Sequence, residues 1–187
     1  MPEPLSIENA YTDAEFTAFA EQSAFTRYEL IDGYIFALAS PSEHHQNMLN
    51  FINNPFQVFF AGKKCRVYLA FDVHINKDIS RNINVYQPDI LVVCDKDKIK
   101  TNGVYGAPDL IVEITSPSTS KHDYTNKLYN YLKYGVKEYW IVAYNNISIF
   151  LLDNDEVIEY HYTYKSIVES KIFPGLKIDF NMFKEFL

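Results

Sequence analysis

Apolar and polar positions recur at helical and strand spacings along the first third of the chain. Residues 11–26 place Phe16, Phe19 and Ala20 at helical intervals, which predicts a short helix. Two apolar runs then flank Asp32-Gly33, the strongest short signal for a β-hairpin. A second helix is predicted over about 43–60, with Pro55 expected to kink it or to end part of it.

The middle of the chain has the alternation of β-strands. Residues 67–75 alternate, a polar tip follows, and residues 84–94 return, so we expect these two segments to pair. Pro88 predicts a sheet edge or a bulge, because proline cannot donate to a strand ladder. Residues 110–115 are apolar on both faces except at Glu113, which predicts a central strand.

The last third again mixes helices and strands. The Ser/Pro-rich segment 116–120 is a possible cap for a helix over about 121–134, which Gly135 would end. Strands are predicted over 138–144, 147–152, 157–162 and 178–180, and a terminal helix up to 186. This order predicts one α/β (α+β) domain over 1–187, with a mixed β-sheet flanked by helices and additional β-hairpins.

Composition narrows the protein class. The 187 residues are 48% hydrophobic and 22% charged, as in an ordinary globular domain, and no apolar run is long enough for a membrane helix. No secretory signal is visible, and the distant Cys65 and Cys94 are expected to be buried reduced thiols; both features favour the cytoplasm. A net charge of −7 argues against broad nonspecific binding to nucleic acid, although bound cations could offset it locally.

Two acids stand where burial is expected. Asp89 follows Gln87-Pro88 at the start of an apolar run, and Glu113 lies inside the predicted central strand. A buried carboxylate is costly unless it is compensated, and a shared divalent cation would compensate both. Mg²⁺ prefers hard oxygen ligands and usually takes only one or two carboxylates. The pattern therefore predicts a metal-dependent hydrolytic site.

Many short motifs in one order resemble the Uma2 family of endonucleases. They are Tyr28-Glu29-Leu30-Ile31-Asp32-Gly33, Ser40-Pro41, His45-Gln46, Phe71-Asp72-Val73, Gln87-Pro88-Asp89-Ile90, Gly106-Ala107-Pro108-Asp109, Val112-Glu113-Ile114, Ser116-Pro117-Ser118-Thr119, Asp123, Lys127, Tyr131, Gly135-Val136, Glu138-Tyr139-Trp140 and Pro174-Gly175-Leu176. The resemblance covers about 27–180 and leaves 1–26 as an N-terminal helical extension. It implies the restriction-endonuclease-like core of PD-(D/E)xK nucleases.

The resemblance also implies site residues. Asp89 and Glu113 would be the acids of the two main motif elements, Glu29 would be an additional acid, and all three would bind the metal. Lys127 would replace the usual motif lysine, because Thr115 stands where that lysine is expected. His45 would contact phosphate or support the ligands. Ala143 is a second departure, at a position where the family commonly has an acid.

Two functions remain open at this stage. One is a Mg²⁺-dependent endonuclease, with Mn²⁺ as a substitute and DNA as the expected substrate. The other is a catalytically silent nuclease-fold protein that acts as a binding or assembly module, motivated by Thr115, Ala143 and the acidic charge. A homodimer is compatible with either function. For Asp109, a turn or cap role is favoured over a role as a ligand.

Overall fold

In a computed structural model, the structure describes residues 10–22, 26–76, 78, 80, 82–115 and 127–186, with side chains up to 183. Three α-helices are described: α1 (Asp13–Glu21), α2 (Glu43–Phe60) and α3 (Leu128–Tyr134). The strands are β1 (Tyr28–Ile31), β2 (Tyr34–Ala37), β3 (Arg66–Leu69), β4 (Val73–His74), β5 (Val85–Tyr86), β6 (Ile90–Val93), β7 (Ile99–Lys100), β8 (Gly103–Tyr105), β9 (Leu110–Ile114), β10 (Glu138–Val142), β11 (Asn146–Asp153), β12 (Glu156–Thr163), β13 (Ile167–Glu169) and β14 (Lys177–Asp179). Two 3₁₀ turns span Lys96–Lys98 and Phe180–Phe186. The mixed α/β character is confirmed.

The main sheet has six strands in the order β12-β11-β10-β9-β6-β3. Strands β9 and β10 are parallel, and the other neighbours are antiparallel. The central position predicted for 110–115 is confirmed, since β9 lies between β10 and β6 and is buried throughout.

A second six-stranded sheet has the order β2-β1-β5-β4-β8-β7. Its β1–β2 hairpin turns at Asp32 and Gly33, which both have positive φ values, of 51° and 83°. Such a turn matches the twist of the flanking strands, so the predicted Asp-Gly hairpin is confirmed.

The predicted pairing of 67–75 with 84–94 is divided between the two sheets. Strand β3 pairs with β6 in the main sheet, whereas β4 pairs with β5 in the second sheet. The continuous strand expected over 67–75 is therefore wrong. The chain turns at Ala70, where φ is +46°. Pro88 lies at the matching break between β5 and β6, and β6 itself is an interior strand.

Alternating residues of the main sheet face two separate cores. On β6, Ile90 and Val92 join one core with α2 and the C-terminal segment, while Leu91 and Val93 join the other with α3 and the second sheet. On β9, Val112 faces α2 and Ile111 faces α3. Because side chains alternate along a strand, Glu113 lies on the same face as Ile111.

Helix α2 continues through Pro55 to Phe60, so the expected interruption is not found. Ser42 caps its first turn, accepting a hydrogen bond from the backbone N of His45 at 3.2 Å. Met48, Ile52, Phe56 and Phe60 form its buried stripe. Packing of this stripe offsets the lost backbone hydrogen bond at Pro55.

The prediction of reduced thiols is wrong: Cys65 and Cys94 form a disulfide. Arg66 lies opposite Val93 in the β3–β6 ladder, so the two cysteines come next in register on adjacent strands. Antiparallel pairing thus brings together side chains that are 29 residues apart in sequence. This removes one argument for the predicted cytoplasmic location.

Two predicted features lie outside the described residues: the cap over 116–120 and the first turns of the helix expected from 121. Gly135 ends α3 in the left-handed conformation with φ +100°, as predicted. Among the described helices, none is long and apolar enough to cross a membrane.

Candidate functional site

A buried lysine joins two of the predicted acids. The Nζ atom of Lys127 lies 2.9 Å from Oε1 of Glu29 and 3.0 Å from Oε1 of Glu113. All three residues are at most 6% exposed. Strand β1, strand β9 and the start of α3 supply one residue each. The structure therefore brings together residues that are up to 98 positions apart in sequence.

Asp89 is adjacent to this group. Ile90 lies opposite Val112 in the β6–β9 ladder, so Asp89 and Glu113 are the next residues at the same end of neighbouring strands. Oδ2 of Asp89 accepts a hydrogen bond of 2.8 Å from the backbone N of Ile114. Oδ1 lies 3.0 Å from Nε2 of His45, which comes from the first turn of α2.

Gln87 links Glu29 to a further acid, Asp72. The backbone N of Gln87 donates to Oε1 of Glu29 at 2.9 Å, and its side-chain Nε2 donates to Oδ1 of Asp72 at 2.8 Å. Burial raises the pKa of Asp72, against the opposing effect of the Gln87 hydrogen bond. Asp72 was not predicted as a site residue. It stands in the Phe71-Asp72-Val73 motif, as an acid directly before an apolar strand residue.

Aromatic hydroxyls complete the surroundings of the lysine. Tyr131 donates a hydrogen bond of 3.0 Å to Oε1 of Glu113, and its pKa is raised well above the usual value, chiefly by burial and then by Glu113. Tyr131 therefore remains a donor at neutral pH. Tyr86 accepts from Nδ2 of Asn130 at 2.8 Å and donates to Asn84 at 2.9 Å. Tyr131 was one of the motif positions in the sequence, but no role was predicted for its hydroxyl.

Three buried polar atoms beside the acids have no hydrogen-bond partner within the described part of the chain: Nδ1 of His45, Oε1 of Gln87 and Oγ1 of Thr115. His45 contacts Asp89, and Gln87 contacts Glu29 and Asp72. Thr115 lies two positions after Glu113. Buried polar groups in proteins normally have a partner, so these atoms point to water or a ligand in this region.

Other predicted or notable acids have structural partners. Asp109 accepts from the backbone N of Cys94 and pairs with Lys137 at 2.7 Å, consistent with the favoured structural role. Glu138 is fully buried and accepts from Ser170, Trp140 and the backbone N atoms of Lys171 and Ile172. Burial raises the pKa of Glu138. These donors account for Glu138 without a ligand.

The donor types fit a hard divalent cation. Asp89 and Glu113 supply two carboxylates at the ends of neighbouring strands, and Gln87 and Thr115 supply buried oxygens for which the described residues offer no donor. Among the described residues, no three His, Cys, Asp or Glu side chains are already gathered as a metal-binding group. Glu29 instead contacts Lys127 and Gln87.

Comparison with protein families identifies the type of protein that carries this site. Residues 13–181 match the model of the Uma2 family, described as "Putative restriction endonuclease". The chain belongs to the Uma2 family. The matched range spans α1, the acids Glu29, Asp72, Asp89 and Glu113, and Lys127, and it places this Uma2 protein in a family described as restriction endonucleases.

Two relatives extend the comparison. An uncharacterized protein of Synechocystis sp. is 26% identical to this Uma2 protein over 137 residues, which are 73% of this chain and 70% of the relative. A crystal structure from Anabaena variabilis, described as "a putative nuclease belonging to DUF820", matches with a TM-score of 0.71 at 19% identity. That match covers 92% of this chain and 98% of the other. It confirms the expected nuclease fold.

Proposed function

We propose that this Uma2 protein is a Mg²⁺-dependent endonuclease that hydrolyses phosphodiester bonds of DNA. Asp89, Glu113, Glu29 and Lys127 would form its active site, with His45 in support. The observation on which the proposal rests is the buried Lys127 ammonium held between Glu29 and Glu113, with Asp89 on the neighbouring strand.

The charge of this group favours a cation. Two buried carboxylates contact the one ammonium, and the Asp89 carboxylate lies at the same end of the neighbouring strand, so acidic groups outnumber cationic ones here. An uncompensated buried charge is costly. Asp89 and Glu113 would hold the ion. When bound, Mg²⁺ would stabilise charge on the phosphoryl oxygens and lower the pKa of a coordinated water.

The remaining residues position these groups. Tyr131 and Lys127 both donate to Oε1 of Glu113, which limits the rotation of that carboxylate. His45 lies against Oδ1 of Asp89, and the Ile114 backbone holds Oδ2. Lys127 would place a positive charge where negative charge develops on the phosphate during hydrolysis.

Cleavage assays test the proposal directly. Plasmid and linear DNA, with RNA in parallel, would be incubated with the protein and Mg²⁺ or Mn²⁺. We expect cleavage of DNA in both metals and a loss of about 10²–10⁴-fold in Asp89→Asn, Glu113→Gln and Lys127→Met, as is typical when groups that stabilise the transition state are removed.

Glu159→Gln, on the exposed strand β12, is a matched control for Glu113→Gln and should keep full activity. Wild-type cleavage rates in Asp89→Asn and Glu113→Gln would reject this active site. Cleavage of RNA alone would keep the site and reject DNA as the substrate.

A second candidate function is a silent nuclease-fold binding module. It is favoured by Thr115 at the usual lysine position, by Ala143, and by the close ion pairs that already occupy Lys127. Calorimetry separates the two functions. Mn²⁺ binding that is lost in Glu113→Gln supports the enzyme, whereas the absence of binding and cleavage in the wild-type protein supports the module.

A further inference from the structure

Among the strands that the structure describes, β12 is an edge strand of the main sheet. Its eight residues pair with β11 on one side only, and it ends the strand order. Seven of its eight residues are exposed. Val157, Ile158 and Tyr160 expose 54%, 37% and 38% of their surface. The backbone N–H and C=O groups on the outer side of such a strand are available to another strand.

Strand β12 lacks a bulge, a proline and a lysine of its own, although the Lys171 ammonium lies 4.4 Å from the ring centre of Tyr160. Natural edge strands are often short, bulged, or protected by proline or lysine. The β11–β12 register runs without a break from Asn146–Thr163 to Asp153–Glu156, so there is no bulge. The strand Glu156–Thr163 contains no proline, glycine, lysine or arginine.

We propose that β12 pairs antiparallel with β12 of a second copy of this chain, with Tyr160 on the two-fold axis. Hydrogen-bonded and non-hydrogen-bonded pairs alternate in an antiparallel ladder, so the axis must pass through a pair of identical residues. With Tyr160 on the axis, Glu159 of each copy lies opposite His161 of the partner subunit, so this pair occurs twice. Ile158 then lies opposite Tyr162 of the partner subunit.

The neighbouring registers are less favourable. An axis at Glu159 places two carboxylates directly opposite each other, and like charges in that position destabilise a sheet. With the axis at His161, Glu159 no longer lies opposite His161 of the partner subunit. The position opposite Ile158 would then lie beyond Thr163, outside the strand. The Tyr160 register instead allows a hydrogen bond between Glu159 and His161 of the partner subunit and an apolar contact between Ile158 and Tyr162 of the partner subunit, and such cross-strand pairs stabilise a sheet.

The pairing joins two six-stranded sheets into one sheet of twice that number of strands. A two-fold axis perpendicular to the sheet keeps equivalent faces on the same side. The faces that carry Glu113 in the two copies would therefore point in the same direction. The interface itself does not depend on the proposed reaction.

Cross-linking tests the register. Cysteines directly opposite each other in a ladder are within disulfide range. We expect Tyr160→Cys to form a disulfide-linked dimer under mild oxidation, on non-reducing gels. Thr163→Cys is the matched control on the same strand and should not cross-link, because it lies opposite Val157 of the partner subunit. The double variant Val157→Cys/Thr163→Cys should cross-link again.

Light scattering after size exclusion tests the interface without cysteines. We expect a dimeric mass for the full chain and a monomeric mass for Ile158→Lys. Val58→Lys, the same kind of change at a residue of α2 that is 78% exposed, should stay dimeric. A monomeric wild-type protein, a dimer that survives Ile158→Lys, or cross-linking of Thr163→Cys without Tyr160→Cys would overturn the proposal. Circular dichroism confirms that each variant is folded.

Discussion

At the scale of single residues, Lys127 decides whether the acidic site is stable. Its ammonium is the cation within 3.0 Å of both Glu29 and Glu113, and all three side chains are buried. The lysine therefore has a structural effect that is separate from any catalytic one. Stability measurements can detect the first even where no reaction is measured.

Lys127→Met should lower the free energy of unfolding by about 3–5 kcal/mol at neutral pH, because it removes the ammonium that pairs with two buried carboxylates. Chemical denaturation measures the change. Lys133→Met, on an exposed position of the same helix, is the control and should stay within about 0.5 kcal/mol of the wild type. Adding Glu29→Gln to Lys127→Met should restore part of the loss. Equal stability of the two methionine variants would contradict the buried ion pairs.

Asp72 should make stability fall as pH rises. Burial raises its folded-state pKa above the usual value of 3.8 for an aspartate. Below 3.8 the carboxyl is protonated in both states. Above 3.8 the unfolded state ionises first, so the folded state loses stability until pH passes the folded pKa. Asp72→Asn keeps an acceptor for Gln87 and should become progressively more stable than the wild type over this window.

Denaturation curves from pH 4 upwards measure the difference in the free energy of unfolding between Asp72→Asn and the wild type. Asp153→Asn, on an exposed residue of β11, is the control and should show a flat difference. A constant difference for Asp72→Asn as well would show that the folded state does not raise the pKa of Asp72.

At the scale of elements, β6 connects the site to the disulfide. Asp89 immediately precedes this strand and Cys94 immediately follows it. The cross-link to Cys65 ties the end of β6 to β3, and the ladder between them leads back to Asp89. The position of the Asp89 carboxylate thus depends on a strand, β6, whose far end is held by the disulfide.

Replacing both cysteines by alanine should lower the free energy of unfolding by about 3–4 kcal/mol, from the chain entropy released when a cross-link over such a loop is lost. The measurement is denaturation with and without reductant. The wild type should respond to reductant, whereas the double variant should not. If conditions that demonstrably reduce the bond left the free energy of unfolding of the wild type unchanged, the disulfide would not stabilise the fold as expected.

At the scale of the whole molecule, the net charge of −7 opposes the approach of DNA. Two of the acids that contribute to this charge lie in the proposed metal site, so a bound cation would offset the repulsion where the substrate must come closest. Metal binding and DNA binding are then thermodynamically coupled. Coupling of this kind is reciprocal.

Binding of a fluorescent duplex should therefore be at least about 10-fold tighter in Ca²⁺ than in EDTA, within the usual range of coupling between two sites. Fluorescence anisotropy measures the affinity, and calorimetry should show the same factor in the affinity for Ca²⁺ when the duplex is present. Glu113→Gln should reduce both effects. Equal duplex affinity with and without the cation would contradict this coupling.

Local signals predicted the elements well. Asp32-Gly33 determines a hairpin because both positions accept positive φ, and Gly135 ends α3 for the same reason. The apolar run around Glu113 predicted a central strand, because a strand covered on both faces has no polar side. The order of motifs along the chain predicted the family, and the family match confirmed it.

Long-range contacts explain what local signals missed. Nothing near Ala70 indicated that one alternating segment would serve two sheets, and nothing near Cys65 indicated Cys94 as its partner. Asp72 and Gln87 are similar: their roles depend on Glu29, which lies 58 positions from Gln87. Such pairings depend on which strands become neighbours, and this is settled only when the sheets assemble.

By itself, the sequence predicted most of the helices and strands, and the resemblance carried by its motifs pointed to the four residues proposed for the active site: Glu29, Asp89, Glu113 and Lys127. Backbone preferences and hydrophobic periodicity act over a few residues and are readable locally. Only the tertiary structure decided that Lys127 lies between two acids, that the cysteines are joined, and that β12 is the last of the described strands of the main sheet. Those outcomes depend on strand order and register, which come from the packing of the whole chain.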